Sequence, residues 1–307
     1  MAHPTGSVAG PTAPLSLADP VAALAGDWRP EVALPLALWL ALYTFGWWRL
    51  RTRATTLAPG WRLGAAILAT AAIAAALISP LDRWAHERFS AHMVQHLLLL
   101  KLAAPALLLA NPLPMVLWGL PRPARLWLGG QLSRGRPLRG VWRALTAMPA
   151  AWGLSALALW FWHVPVAWEA ALSDRLLHDL EHLVFFGSGL LFWWPLLGAA
   201  PRLRAPAHPG ARLAYLLLGA FQEAALGLLL TVSPWVLYPT YAERLSGLAV
   251  SALEDQWWGG VVMWGVGGVI DMVAVLVVLF RVLDRREPLA LPVESAEPAA
   301  NWPRSNR

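Results

Sequence analysis

Residues 90–112 read SAHMVQHLLLLKLAAPALLLANP, and this stretch decides the class of the protein. Most of it is apolar, and it is long enough to cross a bilayer, for which about 20 residues are needed. It nevertheless begins with two histidines four residues apart, His92 and His96, and it carries Lys101 near its middle. Polar side chains are costly inside hydrocarbon, so their presence predicts that they are paired or functional.

The composition of the whole chain also predicts a membrane protein. Hydrophobic residues make up 58% of the 307 residues and charged residues only 14%, whereas about 25% of a soluble domain is charged. The net charge of +6 comes almost wholly from arginine, since Lys101 is the only lysine. Arginine placed unevenly between apolar stretches indicates membrane topology rather than nucleic-acid binding. The chain has no cysteine, which excludes disulfides and thiolate metal sites.

Seven apolar stretches are candidates for membrane spans. They lie at 32–50, 63–81, 92–110, 148–163, 176–197, 211–233 and 256–283. A further apolar segment at 112–121 is short and broken by proline, so we expect it to lie at the interface or to re-enter the membrane. The expected architecture is an all-α bundle of seven transmembrane helices over 31–286. A flexible N-terminal tail (1–30) precedes it, and a disordered tail rich in Pro, Ala and Glu (287–307) follows it.

The arginines predict the orientation of this bundle. Arginine-rich connections follow the first, third, fifth and seventh stretches, and the connections between them hold few arginines. Because positive residues are retained on the cytoplasmic side, the N-terminus is predicted to lie outside and the C-terminus in the cytoplasm. This alternation requires an odd number of spans, and seven agrees with it.

In this orientation six of the eight histidines, counting His86, lie near the outer face. His92 and His96 open the third span, His163 ends the fourth, and His178 and His182 open the fifth. Residues four apart share one face of a helix, so the pairs in HMVQH and HDLEH can each chelate a metal ion. Neutral imidazole suits Cu, Zn, Fe or Ni, and its protonation at acid pH would weaken binding. We therefore predict that both pairs form one metal site between the third and fifth spans.

Other side chains are expected to support these pairs. Gln95 and Glu181 stand beside the histidines and are expected to orient ring N–H groups. Asp255 and Gln256 open the seventh span at the same face. Met263 lies on nearly the same stripe as Gln256, where its thioether suits Cu(I), although methionine more often fills gaps in a core.

Three ionisable residues lie deeper in the predicted spans. By helix rise, Lys101 is about 13 Å and Glu223 about 15 Å below the outer ends of their helices. These similar depths predict an ion pair, which would act either as a structural link or in proton or ion movement. Asp271 in the seventh span should also face the interior of the bundle.

Three segments, taken in order, resemble the CtaG-type integral membrane proteins. They are SAHMVQHLLLL with AAPALLLANP, then HDLEHLVFFGSGLLFWWPLLG, then DQWWGGVVMWGVGG. The resemblance covers about 79–283, and Lys101 is not part of the pattern. The matching positions are His92, Gln95, His96, His178, Glu181, His182, Asp255, Gln256 and Met263.

The resemblance implies a role in assembling caa(3)-type cytochrome c oxidase. On this basis we expect a non-enzymatic assembly factor, a multi-pass protein of the bacterial cytoplasmic membrane, with the lipid bilayer and haem–copper oxidase subunits as partners. The family also implies copper, held near the outer face by the paired histidines and, next to them, by His163. Nucleic acid is not an expected partner.

Other classes remain open from the sequence. Histidines on two helices at matching depth would also suit a membrane di-iron enzyme or a bis-histidine haem oxidoreductase. A transporter would use Lys101, Glu223 and Asp271, although the sequence shows no inverted repeat. HDLEH also matches the zinc-binding pattern of a peptidase family, but so short a motif recurs by chance.

Overall fold

The computed structural model describes residues 29–133, 135–247 and 249–284, and throughout these ranges the regular structure is helical, with no strand. The predicted tails therefore lie outside the described residues, apart from Arg29 and Pro30. Pro30 begins the first helix, and Arg29 is only 5% exposed.

The helices are numbered here in chain order. They are α1 (Pro30–Arg51), α2 (Gly60–Leu77), α3 (Pro80–Glu87), α4 (Phe89–Ala110), α5 (Pro112–Gly119), α6 (Arg122–Gln131), α7 (Pro137–Leu145), α8 (Met148–Trp162), α9 (Pro165–Ser173), α10 (Arg175–Leu197), α11 (Pro209–Val232), α12 (Pro239–Arg244) and α13 (252–284). Seven of them begin at a proline, whose fixed φ suits the first turn and whose missing N–H has no helical partner there. α4 and α13 each contain one π-helical segment, Leu98–Ala103 and Val262–Val266.

Five of these helices are long and apolar enough to cross a membrane: α2, α4, α10, α11 and the Ala252–Arg281 part of α13. A sixth span results if α7 and α8, which are bent by 69° at their junction, are counted as one broken span. α1 covers the first predicted span as a helix of 22 residues, but its prolines, tyrosine and tryptophans lower its hydropathy. The chain is therefore a multi-pass membrane protein, and the number of seven spans stays a prediction.

The apolar segment at 112–121 folds back as the short helix α5 against α1. Asn111 reverses the chain with φ 51°, a left-handed conformation that asparagine tolerates better than most residues. The contact is close at Gly46, where a Cβ would overlap the backbone carbonyl of Met115. The Tyr43 hydroxyl also donates to the carbonyl of Ala110 at 2.8 Å. α5, with 8 residues, thus packs against only part of α1, which has 22.

α4 is the central helix of the bundle. It packs against α2, α10 and α13. In the most apolar 18-residue stretch of α4, 56% is buried, compared with 22% in the corresponding stretches of α2 and α13. Because neighbours surround it, polar side chains on α4 can meet polar side chains from several other helices. Residues 90–112 therefore run through the middle of the fold.

The arginine-rich connections meet at one end of the bundle. Arg53 and Arg125, from two different connections, both lie over the ring of Trp118, at 5.2 and 4.5 Å. Arg204, from a third, donates to the carbonyl of Arg143 at 3.2 and 3.1 Å. This grouping agrees with the predicted alternation of arginine between the two ends. Which end faces the cytoplasm stays a prediction.

Candidate metal centre

The histidines predicted as ligands meet in one buried cluster at the starts of α4 and α10 and the end of α8. None is more than 6% exposed: His92, His96, His163, His178 and His182. The ring centroids of His92 and His178 are 5.2 Å apart, those of His96 and His182 5.4 Å, and those of His96 and His163 6.1 Å. His92, the first histidine of its pair, adjoins His178, the first of the other pair, and His96 likewise adjoins His182. Helices α4 and α10 therefore run in the same direction.

Glu181 lies inside this cluster and is fully buried. Its Oε1 is 3.5 Å from Nε2 of His96, and its Oε2 is 3.7 Å from Nε2 of His92. Two groups of three side chains place their ligand atoms within 4.8 Å of one another: His92, His96 and His182, and His92, His178 and Glu181. Glu181, predicted as an accessory residue, is therefore also a candidate ligand.

Many polar atoms of the cluster have no hydrogen-bond partner among the described residues. These atoms are Nε2 of His92, His163 and His178, both ring nitrogens of His96 and His182, and both carboxylate oxygens of Glu181. Proteins normally satisfy buried polar atoms, because each unsatisfied one costs free energy. A metal ion would satisfy several of them at once, so the donor set fits a metal.

Hydrogen bonds at Nδ1 orient the imidazoles of His92 and His163 and leave Nε2 of each ring without a hydrogen-bond partner among the described residues. Nδ1 of His163 lies 2.8 Å from the carbonyl of Leu159 and must donate to it. Nδ1 of His92 lies 3.0 Å from the Tyr241 hydroxyl, which is 3.2 Å from the carbonyl of Ala85. Because a carbonyl oxygen can only accept, the Tyr241 hydroxyl donates to Ala85 and accepts from Nδ1 of His92. An unprotonated Nε2 fixed by its opposite nitrogen is the usual form of a metal-binding histidine.

Aromatic side chains pack against the cluster. The Trp168 ring lies 4.6 Å from the His92 ring and 5.2 Å from the His163 ring. The Phe185 ring lies 4.2 Å from the His96 ring. In such an apolar setting, electrostatic attraction between ligands and a cation is stronger than in water.

A sixth histidine and a partly exposed ion pair lie at the edge of the cluster. The His86 ring is 4.6 Å from the His178 ring, and its Nδ1 donates to the carbonyl of Asp82 at 2.8 Å. Nη2 of Arg29 is 2.5 Å from Oδ1 of Asp179. These contacts join the start of α1, α3 and α10 beside the candidate ligands.

Two residues that were predicted as accessory groups instead connect helices. Nε2 of Gln95 donates to the carbonyl of Ala76 at 2.6 Å and to Oδ1 of Asp82 at 2.8 Å, rather than to a ring nitrogen. Asp255 accepts from the hydroxyl of Ser90 at 2.5 Å and from its N–H at 3.3 Å. The first contact anchors α4 to α2 and α3, and the second joins the starts of α13 and α4.

Gln256 and Met263 likewise support the cluster from outside it. Gln256 accepts from the N–H of Leu237 at 2.7 Å and donates to the carbonyl of Trp235 at 3.1 Å, which fixes the connection between α11 and α12. Met263 is 4% exposed and packs in an apolar core with Phe89. In this arrangement Met263 has the packing role that the sequence left open.

A second buried polar group lies deeper in the bundle. Nζ of Lys101 is 2.6 Å from Oε2 of Glu223 and also 2.6 Å from Oδ1 of Asp271. The predicted ion pair between Lys101 and Glu223 is confirmed. Asp271 is a second carboxylate on the same ammonium group, an arrangement that the sequence did not predict.

A family model described as cytochrome c oxidase caa3 assembly factor (Caa3_CtaG) matches residues 41–285. The chain belongs to this family. Among the curated proteins and the solved structures, no match was found. The caa3 assembly factor match begins earlier than the expected limit at residue 79, so it includes part of α1. It also covers every residue of the histidine cluster.

Sequence reasoning missed some residues of this caa3 assembly factor site. Glu181 was recognisable as a ligand candidate. Glu181 and His182 follow His178 by three and four residues, so both lie near the helix face that His178 occupies. Trp168 and Tyr241 left no such signal. They reach the cluster from the short helices α9 and α12, in connections where no motif marks a contact with a distant helix.

Proposed function

We propose that this caa3 assembly factor holds a copper ion in the histidine cluster, near the outer face of the bacterial cytoplasmic membrane, and passes it to subunits of a haem–copper oxidase. It acts as a carrier and not as an enzyme. The observation that carries the proposal is the set of five buried histidines from three helices, most of whose ring nitrogens have no hydrogen-bond partner among the described residues.

The chemistry of the donors favours copper as the cargo. Imidazole binds copper well, and the chain has no thiolate that would compete for the ion. The carboxylate of Glu181 would offset part of the positive charge of a bound ion. His92 belongs to both candidate ligand groups, so an ion can exchange between the groups without leaving the cluster. Such an exchange suits a protein that must release its metal.

Copper binding is tested with protein purified without an affinity histidine tag, loaded with Cu(I) and titrated with a competing chelator. We expect His92→Ala and His182→Ala each to lose most of the bound copper, and the double variant to be little worse, because the ligands act on one ion. His208→Ala is the matched control, since His208 is exposed in an arginine-rich connection. A protein lacking His92, His96, His178 and His182 that still binds copper would contradict the site.

Delivery to the oxidase is tested in cells by measuring the copper content and activity of the oxidase. The variants that lose copper should impair oxidase maturation in the same order. Normal maturation with a copper-free variant would separate copper binding from the assembly role.

The packing of the cluster argues against haem as the cargo. Ring centroids of neighbouring histidines lie 4.3 to 6.1 Å apart, so the imidazoles contact one another and do not flank a space for a porphyrin. The visible spectrum of the purified protein distinguishes the two cases, because bound haem gives a Soret band.

A further inference from the structure

The group formed by Lys101, Glu223 and Asp271, called the triad here, contains one ammonium and two carboxylates. The side chains of Lys101 and Asp271 are 7% and 3% exposed, and that of Glu223 is 14% exposed. Each comes from a different helix: Lys101 from the π-helical segment of α4, Glu223 from α11 and Asp271 from α13. The triad therefore joins three helices in the interior of the bundle.

The charges of the triad do not balance if both carboxyl groups are ionised. Within the described part of the chain, the charged neighbours of Lys101 are Glu223 and Asp271, and those of Glu223 are Lys101 and Asp271. One net negative charge would then remain in a low-dielectric interior, where uncompensated charge is costly. In addition, Oδ2 of Asp271 has no hydrogen-bond partner among the described residues. With both carboxyl groups ionised, the triad would therefore lack one positive charge.

A cavity adjoins the triad. It offers about 50 Å³ to the centres of water molecules, and a single water needs about 10–15 Å³ measured in this way. Lys101 and Glu223 form part of its wall, together with the polar side chains of Ser155, Ser188 and Gln222. Most of the lining is apolar, but these polar side chains offer hydrogen bonds to a small number of waters, which could carry protons.

The cavity also reaches the neighbourhood of the histidine cluster. Leu159 and Phe185 line it. The carbonyl of Leu159 accepts the hydrogen bond from Nδ1 of His163, and the Phe185 ring packs on the ring of His96. Water bound in the cavity would therefore lie between the triad and the cluster.

We propose that Lys101, Glu223 and Asp271 form a proton-binding site in the interior of the membrane, where the two carboxyl groups share one proton that exchanges through the adjoining cavity. The added proton neutralises the triad, and two carboxyl groups on one ammonium are a geometry in which a single proton is shared. The proposal does not depend on copper, so it stands or falls separately from the metal site.

Infrared spectroscopy of the full-length protein in lipid nanodiscs at neutral pH tests the site. We expect a C=O stretching band of a protonated carboxylic acid that shifts when the protein is transferred to D₂O. Glu223→Gln and Asp271→Asn should each abolish this band, because the carboxylate that remains pairs one-to-one with Lys101 and is ionised. A band that neither substitution changes, or one that does not shift in D₂O, would overturn the proposal.

Glu181→Gln is the matched control for this spectrum. Glu181 is another buried carboxyl group on a membrane-spanning helix, but it lies in the histidine cluster and not in the triad. Its substitution should leave the assigned band in place. If the band is lost only in Glu181→Gln, the proton belongs to the histidine cluster and the proposal is wrong.

Thermal unfolding provides a second readout that does not depend on resolving the band. Glu223→Gln and Asp271→Asn each leave a balanced pair and should melt close to the unmodified protein. Lys101→Met leaves two carboxyl groups without a cation and should melt clearly lower. A clear rise in melting temperature in Glu223→Gln or Asp271→Asn would show that both carboxyl groups are ionised in the native protein, because the substitution would then remove an uncompensated negative charge. That result would also overturn the proposal.

Discussion

The hydrogen bond between His92 and Tyr241 fixes the orientation of a candidate metal ligand. Nδ1 of His92 donates to the hydroxyl of Tyr241 over 3.0 Å, and this leaves Nε2 directed toward Glu181. His92 also belongs to both candidate ligand groups. The orientation of this one ring therefore affects every arrangement of ligands that the cluster offers.

We predict that Tyr241→Phe weakens copper binding by about 10–100-fold, the usual effect of removing a group that orients a metal-bound histidine. Tyr238→Phe is the matched control, because the Tyr238 hydroxyl donates to the backbone carbonyl of His163 and not to its ring. Competition titration with a copper chelator measures both affinities. Equal weakening in the two variants would show that these hydroxyls support the fold rather than the ring of His92.

At the scale of the helices, the π-helical segments decide which way side chains point. α4 is regular through His92 and His96, and then becomes π-helical over Leu98–Ala103, where Lys101 lies. A π segment contains an extra residue per turn compared with an α-helix. The Lys101 side chain therefore points in a different direction, relative to the histidines, from the one that regular helical spacing predicts. This direction places its ammonium group between α11 and α13.

The contact between α13 and α4 depends on a glycine. A Cβ at Gly259 would overlap the ring of Phe89, and that ring is itself packed at 5.1 Å from Trp168 and 5.0 Å from Tyr238. We predict that Gly259→Ala destabilises the protein by about 1–3 kcal/mol, the usual cost of overpacking a core. Thermal or chemical unfolding in detergent measures the change.

Gly268→Ala in the same helix is the control for this prediction. No atom lies within 4 Å of the position that its Cβ would occupy. Replacing glycine with alanine in an open helical position stabilises by about 0.5–1 kcal/mol. If both variants are destabilised alike, the loss reflects the flexibility of α13 and not its contact with Phe89.

At the scale of the whole molecule, the orientation in the membrane decides which side of the membrane the histidine cluster faces. The arginine-rich connections gather at one end and the histidine cluster at the other. Since positive residues are retained on the cytoplasmic side, the cluster should face outward, where copper for a haem–copper oxidase would be received and passed on.

Reporter fusions test this orientation. A reporter that is active only in the cytoplasm, fused after Arg307, should be active, and one that is active only outside should be silent. The opposite result is expected when each reporter is fused before Met1. A C-terminus found outside would reverse the orientation and place the histidine cluster on the cytoplasmic face.

By itself, the sequence determined the membrane class, the positions of the long helices, the two histidine pairs and the family. These features depend on composition and on spacing along one helix, both of which are local. Only the tertiary structure decided that the two pairs meet, that Glu181 lies between them and that Asp271 shares the ammonium of Lys101. Tyr241 lies 149 residues from His92, and no local pattern encodes a contact that depends on how separate helices and their connections pack.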